Sequence, residues 1–193
     1  MLDDIRQSVE FSHHLLKRHI PKGAGVIDAT AGNGKDTLFL AELVGPEGEV
    51  WAFDIQEEAV ENTKKLLKQN NVFKRVNLNK AGHENMNKYI DNKVLGIIFN
   101  LGYLPGGNKD IVTRSQTTLA ALKSGLKILK NKGIIVLVFY TGHPGGQDEF
   151  DHIFDYVKKL NYKKYNVLNY NFINQKNPPA RLIAVKKRAK DNR

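Results

Sequence analysis

The 193-residue chain contains no cysteine. That absence excludes disulfide scaffolds, thiolate zinc sites, cysteine-ligated iron–sulfur clusters and every cysteine nucleophile. No run approaches the ~20 apolar residues that a membrane-spanning helix needs. The opening Met1-Leu2-Asp3-Asp4 lacks the basic-then-apolar order of a signal peptide. There is no internal repeat, no linker-like stretch and no HExxH motif, so no metal site is expected. The expectation is a cytoplasmic protein with one domain over residues 1–193. Residues 1–20 would hold an N-terminal helix, and 188–193 a tail that frays. Acid is also scarce at one end. From Lys158 to Arg193 there are eleven basic residues and a single acid, Asp191, whereas the other 157 residues hold nineteen of each sign. The whole net charge of +10 therefore sits in the last fifth. A local basic field of this kind draws polyanions, or simply solvates a chain end.

What is present is an alternation of strands and helices. Asp3 to His19 carries Ile5, Val9, Leu15 and Leu16 and stops before Pro21, as an imperfect amphipathic helix does. Gly25–Ala29 reads as strand 1, Asp36–Val44 as a helix with Asp36 near its cap, and Glu49–Asp54 as strand 2. Glu57–Asn70 is predicted helical with Ala59, Val60, Leu66 and Leu67 inward. Arg75–Asn79 forms strand 3, and the apolar Val94–Phe99 a strand buried on both faces. Asp110–Leu129 reads as a long helix, Gly133–Tyr140 as a strand, and Glu149–Leu160 as a helix. Tyr165–Phe172 and Ala180–Lys187 close the chain as two strands. Repeated βαβ units dictate an α/β fold with a mostly parallel sheet and helices on both faces. The last two strands have too short a connection for a crossover helix and must run antiparallel to each other. Ligands in such sheets sit beyond the carboxyl ends of the strands.

The loop after strand 1 reads Asp28-Ala29-Thr30-Ala31-Gly32-Asn33-Gly34-Lys35-Asp36-Thr37. A phosphate loop needs glycine where Ala29 stands and a hydroxyl where Asp36 follows Lys35, so that reading fails. A dinucleotide fingerprint needs a third glycine where Thr37 stands, which weakens it. S-adenosylmethionine fits better. It carries no phosphate but has an ammonium, a carboxylate and a sulfonium. Asp28 suits a cationic ligand, while Ala31, Gly32, Asn33, Gly34 and Asp36 allow close approach and offer N–H groups to its carboxylate. Asp54, ending strand 2, is placed to accept both ribose hydroxyls, or else caps the next helix. Gln56 follows as a ribose or adenine contact. After strand 3, Gly82, His83 and Glu84 are expected beside the adenine ring, with first-turn helix positions as the alternative for His83 and Glu84.

Strand 4 runs into Asn100-Leu101-Gly102-Tyr103-Leu104-Pro105-Gly106-Gly107. An amine acceptor needs its lone pair aimed at the methyl carbon, and the side-chain oxygen of Asn100 can hold the amine's N–H. Tyr103 can pack on a flat base. His143, in Gly142-His143-Pro144-Gly145-Gly146 on the same edge, would orient the acceptor or a phosphate, or be incidental. His13, His14 and His19 on the first helix line the site or contact RNA. Arg181, Lys163, Lys164, Lys176, Lys186 and Lys187 are candidate phosphate contacts.

These loops together resemble the rRNA-methylase family, a small bacterial family of class I S-adenosylmethionine-dependent methyltransferases. The resemblance spans essentially the whole chain, and the Asn100–Gly107 run is its most specific part. It implies a Rossmann-like, seven-stranded, mostly parallel sheet with the last strand antiparallel. It also implies methyl transfer to the aminomethyl nitrogen of a wobble 5-aminomethyl-2-thiouridine, with a tRNA anticodon stem-loop as partner. Amino-methyltransferases more broadly use an Asn/Asp-Pro-Pro-aromatic loop, whereas Leu101-Gly102 stands here in place of Pro-Pro. An aminomethyl nitrogen titrates near ~10, so baring its lone pair at neutral pH costs on the order of 4 kcal/mol. Desolvation beside a sulfonium reduces that cost. The runner-up activity is methylation of rRNA or a small amine. A non-catalytic RNA-binding module on a relic cofactor fold is the alternative outside enzymes, and an NAD oxidoreductase the third. A homodimer would span a stem-loop.

Overall fold

The computed structural model describes residues 6–108, 110–175 and 179–189. Seven strands form one sheet: β1 (Gly25–Asp28), β2 (Glu49–Asp54), β3 (Val76–Lys80), β4 (Val94–Leu101), β5 (Leu129–Phe139), β6 (Tyr165–Tyr170) and β7 (Arg181–Lys187). Their order is β3-β2-β1-β4-β5-β7-β6. β1 pairs in parallel with β2 and β4, and β4 in parallel with β5. β7 inserts antiparallel between β5 and β6. The doubly wound, mostly parallel sheet with its last strand reversed is thus the one expected.

The sheet's two faces follow from strand alternation. Val26, Val50, Ala52, Ile98, Val136, Val138, Leu182 and Ala184 face one layer. There they meet α1 (Ser8–His19), α2 (Lys35–Val44) and α3 (Glu57–Gln69) through Leu16, Leu40, Ala41, Val44 and Leu67. Ile27, Phe53, Ile97, Phe99, Ile135, Leu137, Phe139 and Ile183 face the other. That layer is closed by α4 (Ser115–Ile128) and α5 (Gly146–Lys158) through Ala121, Leu122, Leu126, Phe150, Ile153 and Val157. Burying such aliphatic and aromatic side chains is worth ~1.5–3 kcal/mol each, and this holds the layers together.

Several boundaries differ from expectation for physical reasons. The helix predicted over Asp110–Leu129 begins only at Ser115. The residues before it return as an extended segment, with Val112 bridging to Tyr103 and the Thr113 N–H donating to the Gly102 carbonyl. Gly34 caps α2 with φ +82°, and Asp36, close to that cap as expected, turns its side chain to His13 and Asn100. A Cβ on Gly34 would lie 2.9 Å from the Thr63 Cα, so only glycine fits. β4 runs on to Leu101, and β5 starts at Leu129 before bulging out through Lys130–Gly133 and rejoining β4 at Ile134. Two 3-10 turns, Phe73–Arg75 and His83–Lys88, follow no periodic signal. The α1 expected from Asp3 starts at Ser8, residues 1–5 lying outside the described residues. The tail expected to fray lies outside them from residue 190 onward. No helix among the described residues is long and apolar enough to cross a membrane.

Candidate active site

At the carboxyl edge of β1, β2 and β4, where the strand order reverses, the loops part around a cleft of about 970 Å³. Among the residues read from sequence, Ala31, Gly32, Asn33, Asp36, Asp54, Gln56, Gly82, His83, Glu84, Asn100, Tyr103 and His143 all line it. Asp28 and Gly34 do not.

Asp28 corrects the expectation most directly. Its side chain is fully buried. One carboxylate oxygen accepts the Thr30 N–H at 3.1 Å and the other the Thr37 hydroxyl at 2.6 Å. It ties the loop to the first turn of α2 rather than meeting a ligand. Burial, and then the charge of Asp36, push its pKa up to about 7 from an ordinary 3.8, with Asp54 adding to the rise. Three of the loop amides are likewise spent within the protein. The N–H of Ala31 donates to Phe53, that of Gly32 to the Asp54 carboxylate at 2.9 Å, and that of Gly34 to Ala31. Donors expected for a ligand carboxylate are therefore used to hold the loop's shape.

Asp54 is half-buried on the cleft wall. Each of its oxygens takes one backbone N–H, from Gly32 and from Gln56, both at 2.9 Å. An ionised carboxylate has about four acceptor positions, so capacity for a diol remains on each oxygen. It does not cap α3, whose N-cap is Gln56; it fixes the turn that leads into that helix. Asn33 also does a structural job. Its amide donates to the Pro105 carbonyl at 3.0 Å, and its side-chain oxygen accepts from Asn62 at 3.1 Å, clasping the first loop to the β4–α4 loop and to α3. Thr63 donates its hydroxyl to the Gly32 carbonyl at 2.9 Å.

Three polar atoms in this cleft are buried with no partner: Asn100 Oδ1, His83 Nε2 and His143 Nε2. Asn100 Oδ1 is an acceptor, and His83 Nε2 is one in the neutral ring. The Asn100 amide group donates to Asp36 at 3.1 Å, which leaves its oxygen free. His83 Nδ1 lies 3.1 Å from the Ala29 carbonyl and His143 Nδ1 lies 3.0 Å from the Pro144 carbonyl. A carbonyl only accepts, so each Nδ1 bears a hydrogen, and the neutral form of the His83 ring offers a lone pair at Nε2. Burial holds the His83 pKa below its ordinary value and favours that neutral ring. The cleft thus presents acceptors and carboxylates, which suits a ligand rich in N–H donors and cationic charge.

Tyr103 is exposed beside the cleft, edge-on to His143 with centroids 6.1 Å apart. The half-exposed Tyr140, missed in the sequence, lies on the same wall. The loop carrying Tyr103 is anchored from below by buried Glu149, which accepts the Thr113 hydroxyl at 2.7 Å and the Thr118 hydroxyl at 2.6 Å. Burial raises the pKa of that carboxyl. Among the described residues no group of three or more histidines and acids is arranged to hold a metal ion.

The basic residues of the C-terminal segment are divided between the two ends of the sheet. β7 runs antiparallel, so Arg181 pairs with Phe139 at the cleft end and Lys186 with Ile134 at the opposite end. Lys187 pairs with Tyr165, which places Lys163 and Lys164 at that far edge too. Burial first, and neighbouring lysines second, lower the pKa of Lys186 and of Lys187. The Lys187 ammonium donates to the Leu129 carbonyl at 2.7 Å, just past the end of α4. The Arg181 guanidinium stacks 4.7 Å above Phe150. Lys176 lies outside the described residues. Among the described residues the lysine and arginine side chains that line the cleft are Lys35, in the first loop, and Arg114, and neither was read as a phosphate contact.

Comparison with known proteins agrees with this geometry. The family model described as "Putative rRNA methylase" matches residues 50–186. A tRNA (mnm(5)s(2)U34)-methyltransferase, chloroplastic, from Arabidopsis thaliana is 38% identical over 192 residues, covering 94% of this chain and 70% of that protein. A crystal structure of a "putative rRNA-methylase" from Clostridium thermocellum superposes with a TM-score of 0.93 at 45% identity, covering 95% of this chain and 98% of the other. A "putative methyltransferase" from Streptococcus mutans in complex with SAH gives a TM-score of 0.87 at 38% identity, covering 95% and 99%. With the family model matching residues 50–186 and relatives of 38–45% identity along nearly its whole length, this chain belongs to the rRNA-methylase family.

Proposed function

We propose that this chain is an S-adenosylmethionine-dependent methyltransferase acting on the aminomethyl nitrogen of wobble 5-aminomethyl-(2-thio)uridine in tRNA. The single observation that carries the reading is Asn100 Oδ1, a buried acceptor without a partner on the wall of the cleft beside Tyr103 and His143. An amine donates N–H to such an oxygen while its lone pair stays free. The printed activity of the Arabidopsis relative and the SAH bound to the Streptococcus mutans protein support the same reaction class.

The residues fit the cofactor. Asp54 offers spare acceptor positions to a ribose diol, Gly82 and His83 border the place of the base, and the acids around the loop favour a cation. When bound, S-adenosylmethionine supplies an electrophilic methyl group that passes to the acceptor nitrogen with the bonding pair left on sulfur. Asn100 holds the amine. Tyr103 and Tyr140 give flat surfaces on which a flipped base can stack. Lys35 and Arg114 stand at the cleft for backbone phosphates of the anticodon stem-loop. The unit acts as one domain, in the cytoplasm, and its chemistry calls for no metal.

The test is methylation of a synthetic anticodon stem-loop bearing 5-aminomethyl-2-thiouridine, read by nucleoside mass spectrometry. One methyl on the aminomethyl nitrogen is expected. Transfer to rRNA or a small amine with the stem-loop untouched would overturn the substrate assignment. A protein that binds neither S-adenosylmethionine nor SAH would overturn the enzyme assignment.

A further inference from the structure

Asn100 can hold an amine only if its amide points one way. A half-turn about the last side-chain bond swaps oxygen for NH₂ and presents the cleft with a donor, which repels the same amine. Something must therefore select the orientation. The Asn100 backbone is fixed because its N–H donates to the Thr30 hydroxyl at 2.7 Å. Its side chain meets Asp36, with the Asn100 Nδ2 3.1 Å from Asp36 Oδ2. The other Asp36 oxygen lies 2.7 Å from His13 Nε2 on α1. The His13 ring stacks on Phe39, centroids 3.9 Å apart and planes within 8°. Asp36 is nearly buried. A first-turn carboxylate in such a position has no need of a partner on another helix to serve its own helix.

We infer that Asp36 is the positioning residue for the acceptor amide, and that His13 holds Asp36 in place. This inference rests on the proposed use of Asn100 Oδ1. A carboxylate only accepts, so it admits the NH₂ group of Asn100 and rejects the oxygen, which leaves Oδ1 facing the cleft. His13 fixes the carboxylate plane from the far side. The N-terminal helix is thereby part of the active site without touching the substrate.

The test uses Asp36→Asn, Asn100→Asp and the exchanged pair Asp36→Asn/Asn100→Asp in the full chain. In Asp36→Asn, His13 keeps the amide oxygen and the new NH₂ turns toward Asn100, drawing its oxygen out of the cleft. Single-turnover methylation of the aminomethyl-thiouridine stem-loop, measured at saturating S-adenosylmethionine, falls at least tenfold. Asn100→Asp sets two carboxylates against each other and falls comparably. The exchanged pair restores a donor facing an acceptor and leaves an oxygen in the cleft, so its rate exceeds that of either single variant by at least fivefold. Losses that merely multiply in the pair would overturn the inference. A second readout needs no RNA. The Asn100 side-chain NH₂, identified by its loss in Asn100→Asp, exchanges with water at least tenfold faster in Asp36→Asn than in the parent. Unchanged exchange would overturn the positioning role even where methylation is confirmed. A stem-loop that the parent protein does not methylate overturns the substrate reading alone.

Discussion

Replacing Asp28 by asparagine should stabilise the protein, and should do so only above mildly acidic pH. The wild-type carboxyl is fully buried, with its folded pKa raised to about 7 from 3.8. For a carboxyl raised on folding, the stability is fully present below the unfolded value and is lost as pH climbs through the folded one. At ~1.36 kcal/mol per pKa unit, the loss approaches on the order of 4 kcal/mol once pH exceeds about 7. Asparagine is isosteric, can still accept the Thr30 N–H, and can donate to the Thr37 hydroxyl that the carboxylate accepts from in the parent. It carries no charge against Asp36 and Asp54. Urea unfolding at closely spaced pH values should show the two proteins equal near pH 4. The variant should be ahead by several kcal/mol at pH 8, with the same dependence on denaturant. A variant less stable at pH 8, or a difference flat across that range, refutes the reasoning. The same linkage has a binding consequence. A cationic ligand drawn into this ring of acids lowers the Asp28 pKa, so S-adenosylmethionine binding near pH 7 releases a proton. Calorimetry in buffers of different ionisation enthalpy should detect the release in the parent and find it diminished in Asp28→Asn.

Other outcomes follow from the same geometry. Asp54→Ala frees the Gly32 and Gln56 amides and removes the diol acceptor, so SAH affinity should fall at least tenfold by calorimetry; an unchanged affinity would contradict the assignment. Gly34→Ala forces a Cβ against Thr63 at φ +82°, at a cost of ~1–2 kcal/mol for the left-handed backbone alone, and should lower the thermal midpoint by several degrees. An unshifted melt would show the loop to be softer than its packing implies. Arg114→Glu should raise KM for the stem-loop at least tenfold and flatten its salt dependence, whereas Lys163→Glu/Lys164→Glu should change it less than threefold; the reverse ranking would put RNA at the far edge. Tyr103→Ala should reduce turnover on RNA while leaving SAH affinity within threefold, as measured by single-turnover methylation beside calorimetry.

The sheet was legible because its strands announce themselves. The buried β4 and the Ile134–Phe139 part of β5 are almost uninterrupted aliphatic and aromatic runs, and β2 falls on the predicted residues, Glu49–Asp54. The cleft positions of Asp54, Asn100, His83 and His143 were legible too, since each lies at the end of a strand or in the loop after it. Asp28 was misjudged because sequence does not say which way an acid at a strand end turns. Here both oxygens turn inward to Thr30 and Thr37. The residues before α4 were read as helix because nothing local marks a return toward Tyr103; the hold on them comes from Glu149, thirty-six positions away from Thr113. Counting charges located the excess along the chain but not in space, because the antiparallel register of β7 carries Lys186 and Lys187 away from the cleft. His13 carried no motif, and its link to Asp36 spans twenty-three positions.

Gly96 lies in β4 directly under the end of α1, where a Cβ would come within 2.1 Å of the Ile20 side chain and 3.5 Å of Leu16. The standoff between the first helix and the sheet is therefore set by one missing methyl group. His13 rides on that helix, so a single carbon added in the floor of the molecule would tilt the lever that reaches Asp36. Packing tolerance and chemical competence share one dimension here, and drift at a buried glycine would surface as a slower enzyme before it surfaced as an unstable one.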